Sequence, residues 1–258
     1  FQIMFWLSIL DMIAIMANCV LFGVLLLEGA VYCSDPVMTL GVGIVGYWIW
    51  CTASACCLVL GLNRLFEMLN LSRYFSSTLT NIYIGICCAY GLFMTLFTRP
   101  VIVNSTHQSM FFSPMIPEHS MEEYVNWPHA VHNIVVACSS CLLYVSLSVV
   151  LAVKNRSILA DGTRTRVISN TPVFIQVMLI CGANLVGTSI YVYMNFMPAP
   201  PAVIIAGQVA WQYIHGLPPF IYLALNKSIR QFALKSIGLR SMYETQRVTN
   251  ISLTQGTR

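Results

Sequence analysis

Two ionisable side chains lie inside apolar segments of the sequence, at matching depths. Asp11 is about ten residues from the start of the first segment, and His215 is about ten residues before Asn226, where the last segment ends. A helix rises about 1.5 Å per residue, so both side chains would lie roughly 15 Å from the same edge of a bundle. We expect them to form one polar cluster, together with Ser54. The cluster is either a structural network between helices or a conformational switch or ion site.

A second group of residues lies towards the ends of two apolar segments. Leu62-Asn63-Arg64 ends the second segment. The arginine either extends its charge to the membrane edge or contacts a partner there. In the last segment, Pro218 and Pro219 remove two backbone donors, and we expect them to kink the helix. The kink is either static or a hinge that moves the end of the segment.

The cysteines and histidines do not indicate a metal or redox site. Cys138 and Cys141 form a CxxC pattern, but no thioredoxin-like strand context surrounds them. Nine of the ten cysteines lie inside apolar segments, where a buried thiol is usually a packing residue. Histidines and glutamates gather around the long connection 99–128, without tight ligand spacing. The sequence also lacks a Gly-rich phosphate loop and the HExxH and GxSxG motifs. We therefore expect no cofactor, no bound metal and no enzymatic activity, and no nucleic-acid partner.

A membrane-spanning scaffold is expected to position these residues. The 258 residues are 57% hydrophobic and 9% charged, whereas an ordinary soluble domain carries about 25% charged residues. A spanning helix needs ~20 predominantly apolar residues, and helices satisfy their own backbone hydrogen bonds in lipid. The sequence therefore predicts an all-α membrane protein. Its six expected spans are 1–28, 37–62, 79–98, 129–153, 172–194 and 202–225.

The basic residues predict the orientation of these spans. Of the 13 lysines and arginines, all but Arg99 lie in the connections 63–78 and 154–171 or beyond residue 225. These three regions fall on one side of a six-span bundle, and the positive-inside rule makes that side cytoplasmic. The connection 99–128 then lies outside. It contains the sequon Asn104-Ser105-Thr106, so we expect glycosylation at Asn104.

The C-terminal part of the chain predicts a surface helix followed by a tail. Residues 227–240 place Ile229 and Phe232 on one apolar face, a pattern that suits a helix lying on anionic lipid. Residues 241–258 are expected to be a disordered cytoplasmic tail beside the bundle of residues 1–240. Because the tail lies inside and the number of spans is even, residue 1 also starts inside. We therefore expect one further helix upstream of it.

The order of several short stretches resembles the nematode serpentine receptors of class T (Srt), a family of seven-helix chemoreceptors. The resemblance covers nearly the whole chain. It is carried by residues 3–13 (IMFWLSILDMI), 28–33 (EGAVYC), 53–64 (ASACCLVLGLNR) and 210–230 (AWQYIHGLPPFIYLALNKSIR), the last of which is the most specific. It implies a rhodopsin-like seven-transmembrane bundle of which helices 2–7 are present, with residues 227–240 as an amphipathic helix 8.

The family implies roles for residues near the cytoplasmic side. Asp11 resembles the helix-2 aspartate of rhodopsin-like receptors. Asn63 and Arg64 occupy the place of the Asp/Glu-Arg-Tyr motif, so Arg64 would contact the G protein. Asn63 is not an acid, so an acid–arginine lock within that motif cannot form. The stretch from Pro219 to Tyr222 is similar to the NPxxY motif, with proline in place of the usual asparagine.

The chain departs from the receptor pattern at one cysteine, and the resemblance also implies a function. Cys33 lies where receptors often bear a disulfide cysteine, but the connection 99–128 has no cysteine to pair with it. We expect a G protein-coupled chemoreceptor that binds a small molecule in its outer half and activates a heterotrimeric G protein. Its expected location is the plasma membrane of a sensory neuron or its cilium. The alternatives are a membrane transporter or channel, and a non-signalling truncated receptor. From depth and side-chain type, the expected ligand contacts are Tyr47, Trp48, Tyr191, Tyr193 and Gln208.

Overall fold

The protein is a bundle of long helices. The computed structural model describes residues 2–161, 165–197 and 199–236. Within these ranges six long helices and one short helix follow one another along the chain. They are α1 (Gln2–Leu27), α2 (Pro36–Met68), α3 (Ser77–Phe97), α4 (Trp127–Asp161), α5 (Thr165–Phe196), α6 (Pro201–Leu225) and α7 (Lys227–Ser236). This confirms the all-α fold class.

Five segments in the described part of the chain are long and apolar enough to cross a membrane. They are Gln2–Leu27, Pro36–Met68, Ser77–Phe97, Trp127–Lys154 and Ile175–Phe196. The expected span 202–225 forms α6, which is 25 residues long but is not among the five. Its glutamines, histidine and prolines lower its average hydropathy. Two of these polar residues, Gln208 and His215, are buried inside the bundle.

Side-chain caps set the starts of the helices. The Asp35 carboxylate accepts a hydrogen bond from the Met38 amide at 3.0 Å, and Pro36 occupies the first turn of α2. The Asn226 side chain accepts from the Ile229 amide at 3.1 Å, which separates α6 from α7.

Helices α2 and α4 continue beyond the apolar segments predicted at 37–62 and 129–153. Residues 237–240 and the tail 241–258 lie outside the described residues.

Helix α2 lies at the centre of the bundle. Its inner half packs Ile49, Cys56 and Leu60 into a core shared with α1, α3, α5 and α6. Small residues permit close helix approach: a Cβ added to Gly91 of α3 would lie 2.1 Å from Thr52 Oγ1 of α2. Large apolar residues cover the outside of the bundle, where lipid is expected.

The connection between α3 and α4 forms a small β-hairpin at the outer end of the bundle. Strands β1 (Ile102–Asn104) and β2 (Ser109–Phe111) are antiparallel, with Ile102 opposite Phe111. The hairpin lies against α1 and α2, because the Ser105 amide donates to the Ala30 carbonyl at 3.1 Å. The sequence does not predict this hairpin, since three-residue strands in a long polar connection leave no clear alternating pattern.

Candidate functional site

An outer cavity of about 410 Å³ lies between the hairpin and the outer ends of the helices. Its walls come from α2, α4, α5, α6 and the connection that carries the hairpin. Ligand pockets are commonly ~300–1,000 Å³, so the volume suits a small molecule. The lining residues are Tyr47, Trp50, Val101, Met110, Phe111, Phe112, Ser113, Glu122, Tyr124, Val125, Asn126, His129, Tyr191, Met194, Asn195, Met197, Ala199, Ile204 and Trp211.

Aromatic rings form a continuous wall of this cavity. The ring centroids of Trp50 and Trp211 are 6.1 Å apart, and Tyr191 lies 6.0 Å from Trp50 and 6.3 Å from Trp211. On the hairpin side, His129 lies 4.9 Å from Phe112, in an edge-on arrangement. Edge-to-face pairs at such distances are favourable, so helices α2, α4, α5 and α6 meet at one packed aromatic cluster.

Asn126 connects the outer loop to the helices. Its amide nitrogen donates to the Tyr47 hydroxyl at 3.3 Å, the Thr98 hydroxyl at 3.0 Å and the Arg99 carbonyl at 2.8 Å. Its side-chain oxygen accepts from the His129 amide at 3.0 Å and so caps the start of α4. The loop is therefore attached at this point by a buried hydrogen-bonded side chain.

Cys33 is a free, exposed cysteine.

Polar side chains continue from the cavity wall into the bundle. The Trp50 indole donates to the Asn133 side-chain oxygen at 3.0 Å, and the Asn133 amide nitrogen lies 3.3 Å from His129 Nε2. One turn further along α4, His132 Nε2 lies 3.0 Å from the Ser54 hydroxyl. Ser54 was expected beside Asp11, but it faces α4 instead, because its position around α2 points it to the opposite side.

Only part of the predicted ligand set lines the cavity. Tyr47 and Tyr191 do, whereas Trp48, Tyr193 and Gln208 do not. Successive residues of a helix point about 100° apart. Trp48 therefore packs on the inner core, and the Tyr193 side chain is 44% exposed. Gln208 is buried, and its amide has no hydrogen-bond partner among the described residues.

Two tryptophans of the aromatic wall were missed by the sequence analysis. Trp50 lies three residues after Tyr47, and Trp211 lies four residues before His215. Both spacings place the tryptophan on the same helix face as a residue already singled out. Helical spacing from Tyr47 and His215 was therefore the signal that could have identified both.

The structure brings Asp11 and His215 together. His215 Nδ1 lies 2.8 Å from Asp11 Oδ1, and both side chains are buried. A small cavity of about 10 Å³ adjoins this pair and is also lined by Asn184 and Tyr222. In the described part of the chain, His215 Nε2 and the Tyr222 hydroxyl have no hydrogen-bond partner.

Arg64 lies near the end of α2, one turn after Leu60, which shares the inner core with Tyr222 of α6. Its guanidinium forms an ion pair with Glu67 at 2.5 Å, one turn later on α2. Asn63 is half-buried beside Arg64. The acidic partner that Asn63 cannot supply is thus present at Glu67, one turn after the arginine.

The prolines of α6 face opposite environments. Pro218 is buried and lines the small cavity, whereas Pro219 is exposed on the outside of the bundle. The helix continues through both residues to Leu225. Beyond it, the Arg230 guanidinium donates to the Ala224 carbonyl at 2.7 Å. Helix α7 is thereby attached to the end of α6.

Two further sites lie in the outer loop. Asn104 of the sequon is 6% exposed, and its amide lies 3.1 Å from the Met115 sulfur. A glycan on this nitrogen would need it in solvent, away from its contact with Met115. Near the cavity rim, hydrogen bonds from His119 and the Ser120 amide lower the pKa of the Glu123 carboxyl.

The described part of the chain thus combines helices long and apolar enough to cross a membrane with a ligand-sized cavity at one end of the bundle. The family model described as serpentine type 7TM GPCR chemoreceptor Srt matches residues 1–246. The chain belongs to this family, which confirms the resemblance found in the sequence. It is a receptor family and not an enzyme family.

A curated relative gives the same result. The chain is 25% identical over 261 residues to serpentine receptor class T-55 of Caenorhabditis elegans. The match covers 100% of this chain and 70% of the relative.

Proposed function

We propose that this protein is a G protein-coupled chemosensory receptor that binds a small molecule in the outer cavity. Ligand binding would favour one arrangement of the helices, and a heterotrimeric G protein would recognise that arrangement at the cytoplasmic side. The family supports the receptor class. The cavity, the buried pair and Arg64 support the roles of individual residues.

One observation carries this proposal: α6 connects all three sites. Trp211 lies in the cavity wall, His215 bonds to Asp11, and Tyr222 packs in the inner core that contains Leu60, one turn before Arg64. The spacings of four and seven residues place these three side chains on one face of the helix. A ligand that shifts Trp211 would therefore act on the same rigid element that carries His215 and Tyr222.

The expected roles follow from this arrangement. Asp11 and His215 form the switch inside the bundle, and Pro219 and Tyr222 belong to the segment that moves. Asn63 and Arg64 contribute to the surface that contacts the G protein. The lipid bilayer is the surrounding medium, and the plasma membrane of a sensory neuron or its cilium is the proposed location.

Nucleotide exchange on purified G proteins tests the proposed coupling. The receptor in lipid nanodiscs would be mixed with heterotrimers of each Gα class, and binding of a non-hydrolysable GTP analogue would be followed. We expect acceleration with at least one class, and we expect Arg64→Ala to abolish it. Arg73→Ala is the matched control, because Arg73 lies in the same expected connection, 63–78. Arg73 contacts the neighbouring Tyr74, stacking on its ring and donating a hydrogen bond to its hydroxyl.

The nucleotide-exchange result distinguishes a G protein-coupled receptor from a transporter or channel. Equal exchange rates for Arg64→Ala and the unmodified receptor would refute the role of Arg64. No acceleration with any class, together with ion current or solute flux in liposomes lacking G protein, would indicate a transporter or channel instead.

A further inference from the structure

We propose that the outer cavity binds a small organic cation, a protonated amine or a quaternary ammonium. This inference rests on the proposed function, because it takes the outer cavity as the ligand site. It adds the chemical class of the ligand. Three observations support that class: the aromatic rings of the cavity wall, the charge of the lining, and the charge of the surface around the cavity.

The first observation is the number of aromatic rings in the wall. Of the 19 lining residues, seven are phenylalanine, tyrosine or tryptophan, against 12% of the whole sequence. The face of such a ring is electronegative, and a cation within ~6 Å of its centroid is attracted. The tryptophans, which bind cations best, are Trp50 and Trp211. They lie together with Tyr191 on one side of the cavity.

The second observation is the charge of the lining. In the described part of the wall, Glu122 is the formally charged side chain, and neither lysine nor arginine is present. Glu122 is exposed at the rim. The adjacent carboxylate, Glu123, already bonds to His119 and to the Ser120 amide. Glu122 is thus the acid placed to meet a cation that enters the cavity.

The third observation concerns the route of approach. The outer side of the bundle carries one arginine, Arg99, whose guanidinium bonds to the Val125 carbonyl at 2.9 Å. Five acidic residues lie on the same side. They are Glu28, Asp35, Glu118, Glu122 and Glu123. A surface with an excess of negative charge concentrates cations near the cavity and repels anions.

A pair of probes with the same shape tests the charge preference. (3-Hydroxyphenyl)trimethylammonium is positively charged, and 3-tert-butylphenol is its neutral counterpart with carbon in place of nitrogen. Binding of each would be measured by calorimetry on the receptor in nanodiscs, with empty nanodiscs as the blank. We expect the cation to bind at least about fivefold more tightly than the phenol.

Two variants test whether Glu122 is responsible for the preference for the charged probe. Glu122→Gln should weaken binding of the cation about threefold or more and leave binding of the phenol unchanged. Glu118→Gln is the matched control, because it removes the same charge from the same loop but does not line the cavity. We expect it to change binding of the cation less than about twofold, since a charge outside the cavity lining is separated from the bound cation by solvent and is screened by salt.

Three results would overturn the proposal: equal or tighter binding of the phenol, binding of neither probe, or equal losses for Glu122→Gln and Glu118→Gln. Failure of the ligand class is distinguishable from failure of the proposed function. If the phenol binds more tightly and Trp211→Leu abolishes its binding, the cavity remains the ligand site and only the cation is excluded. If Arg64→Ala leaves nucleotide exchange intact, the proposed coupling fails whatever the probes do.

Discussion

The imidazole of His215 on α6 lies 2.8 Å from the carboxylate of Asp11 on α1, and both groups are buried within the bundle. The two residues are 204 positions apart in the chain. The bond connects the first and last long helices at mid-depth. It also lies between the aromatic wall of the outer cavity and the inner end of α6, so a change in this pair would reach both sites.

Removal of one partner of this pair should destabilise the receptor more than removal of both. His215→Leu leaves a buried carboxylate without its partner, and losing one member of a buried pair typically destabilises by about 3–5 kcal/mol. The double variant Asp11→Leu/His215→Leu leaves neither group unpaired, so we expect it to be closer to the unmodified receptor. Thermal unfolding of the unmodified receptor, Asp11→Leu, His215→Leu and the double variant in detergent completes a double-mutant cycle. Additive losses would mean that the pair contributes no coupling.

Gly43→Ala should displace the outer hairpin. A Cβ at this position would lie 1.8 Å from the Val101 carbonyl oxygen, a backbone atom just before β1. The backbone must shift, so we expect a loss of stability of about 1–3 kcal/mol or more and weaker ligand binding. Gly41→Ala is the control, because no atom lies within 4 Å of its added Cβ. Alanine also favours helix there by up to ~1 kcal/mol. Similar melting temperatures for both variants would contradict the close approach.

Asn126→Ala should loosen the outer loop and the start of α4 together. The variant loses the donor to Tyr47, Thr98 and Arg99 as well as the cap on His129. A lost cap typically costs about 0.5–2 kcal/mol. Asn126→Asp retains the cap but not the donor, so it should loosen the loop and leave the helix start ordered. Hydrogen exchange of residues 99–130 measures both effects. Equal protection in all three proteins would show that Asn126 does not hold the loop.

The rim turn at Met121–Tyr124 should lose protection at acid pH. The pKa of Glu123 is lower in the folded protein than its ordinary value of 4.5. Its stabilising bonds are therefore fully present above that value and are lost as the pH falls through the lower folded pKa. We expect amide exchange at Ser120 to accelerate in that range. Glu123→Gln, which cannot ionise, should remove the pH dependence. An unchanged profile in this variant would assign the effect to another group.

Depth along the helices was predictable, whereas direction around them was not. The matching depths of Asp11 and His215 follow from counting residues at a constant rise of ~1.5 Å, and the structure brings the two together. The expected contacts Trp48 and Tyr193 do not line the outer cavity because of their direction around the helix. Each lies one or two residues from a cavity residue, and each residue turns the side chain by about 100°. The role of Arg64 towards a G protein stays a prediction, as does glycosylation of Asn104.

The sequence by itself determined the class of protein and its apolar segments, and it predicts the orientation of those segments. These properties depend on composition, segment length and the position of basic residues. Each of these acts within a single segment and its flanks, without contacts between distant parts of the chain. Only the tertiary structure decided that Ser54 bonds to His132, that Glu67 pairs with Arg64, and that a hairpin closes the aromatic cavity. These features depend on how helices rotate and how a loop packs on them. Such choices are made by contacts between distant parts of the chain, which no local pattern specifies.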